Sequence, residues 1–319
     1  MRALAALLIA LFVGHTPAAA QDWPIQTVRM IVPFPAGGPA DIIARYVAER
    51  LSQNWGQGVI IENKPGANTA IAAAQVAKAP ADGYTLFVVM DVTMVLNPLT
   101  MKSISYDPRR DFVPITMLSK NTSLLTVHAD GPKTMAELIA KGRANPGKLN
   151  FGAGIITTRL AGELFNRETG MSVQYVPFQG SPPTVQALLS KSVDFIVDGQ
   201  AASLPLIQSG TFRALAKTNN GPVLALPNLK TMAQEANSSE LEDISTWIGL
   251  VAPTGTPQNV VDKVQSAIAK MFAEPGVKER LLNMGINATA STPAEFNDFM
   301  NRETARWSKV VKEVNIELN

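Results

Sequence analysis
Three features of the sequence predict an α/β protein built as two lobes. Short apolar runs rich in β-branched residues alternate with amphipathic helical stretches, the pattern of parallel strands joined by helices. The alternation occurs twice, once before about residue 120 and once after it. Two extended runs, near Lys120 and near Ser245, then read as crossings between the halves. Each lobe is expected to be a mostly parallel sheet flanked by helices. Residues 21–122 and 246–319 form lobe 1 and residues 123–245 form lobe 2, with a cleft between them.

The first lobe opens on residues 31–45, IVPFPAGGPADIIAR. Residues 28–32 are apolar and suit a buried strand, which Pro33 and Pro35 stop. Gly37 and Gly38 permit a turn with exposed backbone. From Ala40 and Asp41 onward, Ile42, Ile43, Tyr46, Val47 and Leu51 make a helical stripe. The segment is therefore strand, glycine turn and helix start. Such a turn lies at the carboxyl end of a strand, where ligands of open α/β sheets bind. Its free N–H groups suit an anion, and a carboxylate above all. No Lys-Ser/Thr follows the glycines, so this is not a phosphate loop.

Residues 59–62 make a second strand, and the 63–68 loop leads to Thr69, which is placed to cap a helix ending at Ala77. Residues 85–90 make a third strand. The β-α-β-α-β order predicts right-handed crossovers. Residues 91–97 follow as a strand-end loop facing the same crevice as Gly37 and Gly38, with Thr93 as a hydrogen-bonding candidate.

The second series has strands at 124–128, 149–152, 173–176, 193–197 and 212–216. Its helices are read at 134–143, 158–167 and 184–189, and its exit loops at 153–158, 177–181 and 198–200. Residues 244–253 form a further long strand. Helices over 257–272 and 293–314 close the chain.

Residues 1–20 carry a positive start at Arg2, an apolar stretch and small residues at 18–20. This predicts a cleaved secretory signal peptide and a periplasmic protein. No cysteine lies near the expected cleavage point, so no lipid anchor is expected, and no later run is apolar enough to span a membrane. The chain contains no cysteine at all, so an exported protein of this kind must rely on its core, which 46% hydrophobic residues can supply. Without Arg2 there are 27 basic against 26 acidic residues. That balance argues against a nucleic-acid binder.

An enzyme is poorly supported. His128 is the one histidine beyond the leader, there is no G-x-S-x-G elbow, and no acid, His or Cys cluster has metal-ligand spacing. Gly152 and Gly154 lack the third glycine of a dinucleotide fingerprint. No metal and no cofactor are expected.

Several motifs, in order and spread from Trp23 to about Trp307, resemble the Bug family of solute-binding proteins of the tripartite tricarboxylate transporter type. They are VPFPAGGPADIIAR, IENKPGAN, ADGYTLF, YDPRRDFVPI, AGELF, VPFQGSPPTVQALLSKSVDF and GLVAPTGTP. The resemblance implies a monomeric Venus flytrap, similar to type II periplasmic binding proteins. It would enclose a small carboxylate and deliver it to the subunits of a membrane transporter. Carried over by position, Pro35, Ala36, Gly37, Gly38 and Asp41 form the loop that holds one ligand carboxylate. Residues 152–158 approach from the other lobe, with Thr157 and Thr158 as hydroxyl donors, and Asp198 falls where the family has an acid bordering the cleft.

The chain departs from the family in Arg159 for a His, in Phe178-Gln179 for Tyr-Lys, and in Ile155 and Ile156 where Gly and Ser are common. The isoleucines suggest a ligand with an apolar body, such as an aromatic carboxylate or a dicarboxylate of the phthalate kind. Phe34 and Phe178 are candidate walls for it. Arg159 is a candidate carboxylate partner, and Trp247 is expected to pack at the second crossing. A ligand sensor feeding a two-component system shares all of these features.

Overall fold
The computed structural model describes residues 23–314. The expected signal peptide lies outside the described residues. The first half runs β1 (Val28–Val32), α1 (Pro39–Trp55), β2 (Val59–Asn63), α2 (Ala70–Val76) and β3 (Thr85–Met90). A π-helical turn over Val92–Leu96 leads into the short α3 (Asn97–Thr100), then β4 (Phe112–Asn121) and β5 (Ser123–His128). The middle of the chain is α4 (Met135–Ala144), β6 (Leu149–Ala153), α5 (Ile156–Thr169), β7 (Val173–Pro177), α6 (Ser181–Leu189), β8 (Phe195–Gly199), α7 (Gln200–Gln208) and β9 (Phe212–Lys217). It ends with α8 (Met232–Ala236), β10 (Thr246–Pro253), α9 (Gln258–Ala273), α10 (Val277–Asn283) and α11 (Pro293–Val314).

The strands form two sheets of five, in the orders β2-β1-β3-β10-β4 and β7-β6-β8-β5-β9. Strands joined through a helix pair in parallel, as crossover connections require: β1 with β2 and β3, and β6 with β7 and β8. The crossing strands run the other way. β10 is antiparallel to β3 and β4, and β5 to β8 and β9, so both sheets are mixed. The chain leaves the first sheet at Thr122 and returns to it at Ser245.

Alternate residues of β1 divide the first sheet's two faces. Met30 packs with Ile43 and Val47 of α1 and Val264 of α9, all fully buried. Burying each such side chain stabilises the fold by roughly 1.5–3 kcal/mol. Ile31 faces a larger core that includes Phe87 and Trp247. That core continues without a break through α5 and α11 to Phe151 and Phe195 of the second sheet. An apolar seam thus joins the lobes behind the cleft. Trp247 is fully buried there, edge-on to Phe296 and Phe299.

Asn219 ties the two crossings together. Its amide donates to the carbonyls of Asn121 and Ile244, each at 3.1 Å, and to the Ser245 hydroxyl at 3.0 Å. Its carbonyl oxygen accepts from the Thr122 hydroxyl and the Gly221 N–H, both at 2.7 Å. With Asn219 buried, these bonds satisfy the polar backbone where the chain changes sheets.

Candidate functional site
A cavity of about 400 Å³ lies between the sheets. The first sheet supplies Phe34, Ala36, Gly38, Met90 and Ile248, and the second supplies Ile155, Thr158, Ser181, Asp198 and Gln200. The crossing residues Asn121, Thr122 and Ser123 also line it. Among the described residues, its walls contain no Lys or Arg.

Four helices begin at this cavity: α1 at Gly38, α5 at Ile155, α6 at Gly180 and α7 at Gly199. None of these N-cap residues gives a side-chain capping bond. Away from the cavity, α4, α8 and α11 are capped by Thr134, Thr231 and Thr292, whereas α2, α9 and α10 have no side-chain cap. The first N–H groups of a helix have no partner within it, and they carry the positive end of its dipole. Four uncapped ends around an apolar-walled space make an electropositive site without a cationic side chain.

Among the described residues, Asp198 is the one acid on the cavity wall. It is 3% exposed. The Ser181 hydroxyl, at the start of α6, donates to its carboxyl from 2.6 and 2.7 Å. Burial pushes its pKa up to about 6, and the bonds from Ser181 and from backbone N–H only partly offset this. Asp198 is thereby tied to the first residue of α6 through its hydroxyl, and α1, α5 and α7 begin at the same space.

The loop of the first lobe is shaped by Asp41. This carboxyl accepts from the Gly37 N–H at 2.9 Å, from Arg45 Nε at 2.8 Å and from Asn63 Nδ2 at 2.8 Å. Asn63 also donates to the Phe34 carbonyl at 3.0 Å. Burial works to raise the Asp41 pKa, but the bonds from Arg45, Gly37 and Asn63 outweigh it and hold the group below the usual carboxylate value. Gly37 sits at φ +88°, which only glycine adopts freely, and its N–H is spent on the brace.

The loops of the second lobe are held by close backbone approach. A Cβ on Gly154 would meet the Gly180 carbonyl group at 2.4 Å, and the Gly180 N–H donates to Gly154 O at 3.0 Å. The cavity mouth is narrow in the same way. A Cβ on Gly285, from the first lobe, would lie 2.5 Å from Cβ of Ala201, at the start of α7.

Of the residues singled out in the sequence, Phe34, Ala36, Gly38, Ile155, Thr158 and Asp198 share the cavity. Gly37, Asp41, Thr93, Thr157 and Phe178 do not line it, each for a local reason. Gly37 and Asp41 bond each other. The Thr93 hydroxyl, fully buried, donates to Thr69 at 2.9 Å. Thr157 donates to Asp91 of the other lobe. Phe178 packs over β6, its ring 2.9 Å from where a Gly152 Cβ would be. Arg159 also lies elsewhere, stacked over Tyr175 at 4.5 Å and facing Glu163 at 3.8 Å. Thr69 stands at the N-cap of α2 but makes no capping bond, its hydroxyl accepting from Thr93 instead.

Ser181, Gln200, Ala201 and the 121–123 crossing escaped the sequence reading as cavity residues. Pro182 behind Gly180 was a usable signal for a helix start at Ser181, since Pro favours the first turn. Nothing local marks Asn121–Ser123 as a wall, because that position depends on the second sheet.

Comparison with known proteins agrees with this architecture. The chain is 34% identical to the UPF0065 protein of the tcbD-tcbE intergenic region of Pseudomonas sp. strain P51, over 100% of this chain and 95% of the relative. It is 31% identical to protein BugT of Bordetella pertussis, over 95% and 93% of the two chains. Among solved structures, Rpa4515 of R. palustris, described with adipate, superposes with a TM-score of 0.85 at 33% identity. That match covers 93% of this chain and 99% of Rpa4515. Residues 43–316 match the tripartite tricarboxylate transporter family receptor, TctC. With its two sheets, its cleft and these relatives, the chain belongs to the TctC family, among whose members are the Bug proteins.

Proposed function
We propose that this chain is a periplasmic solute-binding protein, not an enzyme. It closes around one small carboxylate with an apolar body and delivers it to the membrane subunits of a tripartite transporter. The observation that carries this reading is the convergence of four uncapped helix ends on a cavity walled by Phe34, Met90, Ile155 and Ile248. A carboxylate gains charge-assisted bonds from the N–H groups of α1, α5 and α7 without a buried ion pair. The apolar walls take the rest of the solute, and a volume of about 400 Å³ suits an aromatic acid or a medium-chain diacid. The adipate of Rpa4515 is a ligand of that class. Asp198 faces the remaining end and selects a hydrogen-bond donor on the solute. Residues 1–20 serve as the export signal.

A thermal-shift panel tests this, with adipate, succinate, citrate, benzoate, the phthalate isomers and protocatechuate. A solute at a hundredfold its Kd adds about 2.7 kcal/mol of stability. Shifts from aromatic acids or adipate, with none from citrate, are expected. A response to citrate and succinate alone would remove the apolar-body assignment, and no response from any acid would remove the carboxylate.

A further inference from the structure
Behind the cavity, the seam between the lobes contains a carboxyl group that the cleft does not use. Asp91 follows β3 in the first lobe and is 1% exposed. Its Oδ1 accepts from the Val92 N–H at 3.0 Å. Its Oδ2 accepts from the hydroxyl of Thr157, which is also 1% exposed and belongs to α5 of the second lobe. Thr157 lies between Ile155 and Thr158, which both line the cavity. The bond therefore fixes, from behind, the turn that carries two wall residues. A motion that draws α5 away from the end of β3 breaks or stretches it.

The surroundings of Asp91 oppose its charge. The surrounding core is apolar, with Met94, Val95, Leu160, Ala161 and Phe296. The charged group that bears on it is a second acid, Glu303, from α11. Glu303 is itself buried and accepts from Trp307 Nε1 at 3.1 Å. From α5, Arg159 and Glu163 are turned to each other and to Tyr175. From α11, Arg306 bonds the carbonyls of Glu240, Glu242 and Asp243, and it acts with Lys120 and Asp243 on Glu303. The π-helical turn adds no charged side chain.

We propose that Asp91 is a proton-dependent positioning residue for the cleft: it takes the Thr157 hydroxyl across the seam, bears a proton in the closed form, and so favours closure at acid pH. Burial and, secondarily, Glu303 push the Asp91 pKa up to about 7 with the seam joined as in this structure, against bonds from Thr157 and Val92 that act to lower it. Water reaching the separated seam returns the group toward its ordinary carboxylate range. The closed form then binds the extra proton between those two values. Closure is favoured at the acid end, weakens as pH rises toward about 7, and is level above that. The significance for binding rests on the cleft being the solute site proposed above, because the latch acts through Ile155 and Thr158.

The test needs no solute. Small-angle X-ray scattering of the purified protein gives its radius of gyration from about pH 5 to about pH 8, a range spanning the expected transition. Wild type should expand as pH rises. Asp91→Asn, which stays neutral and keeps one oxygen to accept from Thr157 while giving up the bond from the Val92 N–H, should lose that pH dependence and keep the acid-form radius throughout. Thr157→Val should be expanded at both ends of the range. A flat wild-type profile, or the wild-type profile retained in Asp91→Asn, overturns the proposal. So does a Thr157→Val protein as compact as wild type; if that variant fails to fold, the Asp91→Asn arm decides alone. A merely structural role would lower the melting temperature of both variants and leave the pH profile in place. Since no carboxylate is present, the latch can fail while solute binding succeeds, and the reverse.

Discussion

The two sides of the contact between the lobes are built on opposite rules. On the cavity side, polar groups are left open. Helices α1, α5 and α7 begin there without side-chain caps, and Asp198 has a hydroxyl from its own lobe. On the seam side, polar groups are matched across the lobes within an apolar core, as Asp91 is with Thr157. Backbone donors without partners destabilise a folded chain, so a protein keeps several together where a ligand will satisfy them. The seam, in contrast, matches this pair across the lobes inside an apolar core, as a surface that sets how the lobes meet should. The same helix, α5, takes part in both: Ile155 and Thr158 face the cavity and Thr157 the seam.

The sharpest way to break the cavity side while sparing the seam is at its mouth. Gly285 has φ +78°, and a Cβ there would meet three atoms of Ala201 between 2.5 and 3.1 Å. Gly285→Val forces a side chain into the left-handed region, at roughly 1–2 kcal/mol. It also places a branched group where the lobes touch. We expect any acid identified by the thermal-shift panel to bind at least about tenfold more weakly, a loss of about 1.4 kcal/mol or more. Isothermal titration of wild type and variant measures this. Unchanged affinity would show that the mouth does not need to close.

How much of this was readable from residue order depends on whether the cause is local. The turn of Gly37 and Gly38 and the helix after it were legible because proline, glycine and the apolar stripe act within a few residues. β4 starts at Phe112 and carries Pro114 inside it, which a proline count argues against, because it is an edge strand of its sheet, where a missing N–H is tolerated. Helix α7 was missed because it starts at an uncapped Gly199 and has Pro205 inside it, two signals that normally deny a helix. Residues 91–97 were read as a loop from their place after a strand, yet VTMVL holds no turn residue and winds into a π-helical turn. Thr157 read as a cavity donor and instead meets Asp91, a partner 66 residues away in sequence that no spacing rule reveals. Cavity residues supplied by whole-fold geometry, such as Asn121 and Gln200, were illegible for the same reason.

The two buried acids give a finer comparison through pH. Both Asp198 and Asp91 have pKa values raised in the folded protein, to about 6 and about 7, with burial as the first cause of each. A raised folded value means that the folded state binds the extra proton. The stabilisation is full below the unfolded carboxylate value of 3.8, and it is lost as pH rises through about 6 for Asp198 and about 7 for Asp91. The melting temperature should therefore fall from mildly acidic to neutral pH. Asp198→Asn should make the fall below about pH 6 shallower, leaving the share of Asp91 there and the whole of the part up to about pH 7. Adding Asp91→Asn should flatten the remainder that Asp91 contributes. Differential scanning calorimetry across this range reads both effects, and a profile that neither substitution alters would show that neither carboxyl titrates in the folded state.

Asp41 provides the smallest effect and the opposite sign. It stands beside the cavity, and yet its oxygens are fully engaged by Gly37, Arg45 and Asn63. Its folded pKa is held below 3.8, so its contribution is present above that value and is lost as pH falls through the lowered one. Asp41→Asn keeps one oxygen for the Gly37 N–H and Arg45 Nε but removes the negative charge facing Arg45 and the acceptor for Asn63 Nδ2. The Arg45 side chain is 52% exposed, so solvent screens the pair, and the expected loss is about 1 kcal/mol. For a chain of this length that is about 2 °C at neutral pH. The gap between wild type and variant should narrow as the solution is acidified, whereas the Asp198→Asn and Asp91→Asn differences should narrow in the same direction from a variant that is the more stable one at neutral pH. A variant less stable than wild type for Asp41 and more stable for the other two would separate a carboxylate that braces a loop from carboxyl groups that the fold holds against their charge. Equal signs for all three would mean that burial governs Asp41 as well, and that the Gly37 loop owes its shape to the glycines alone.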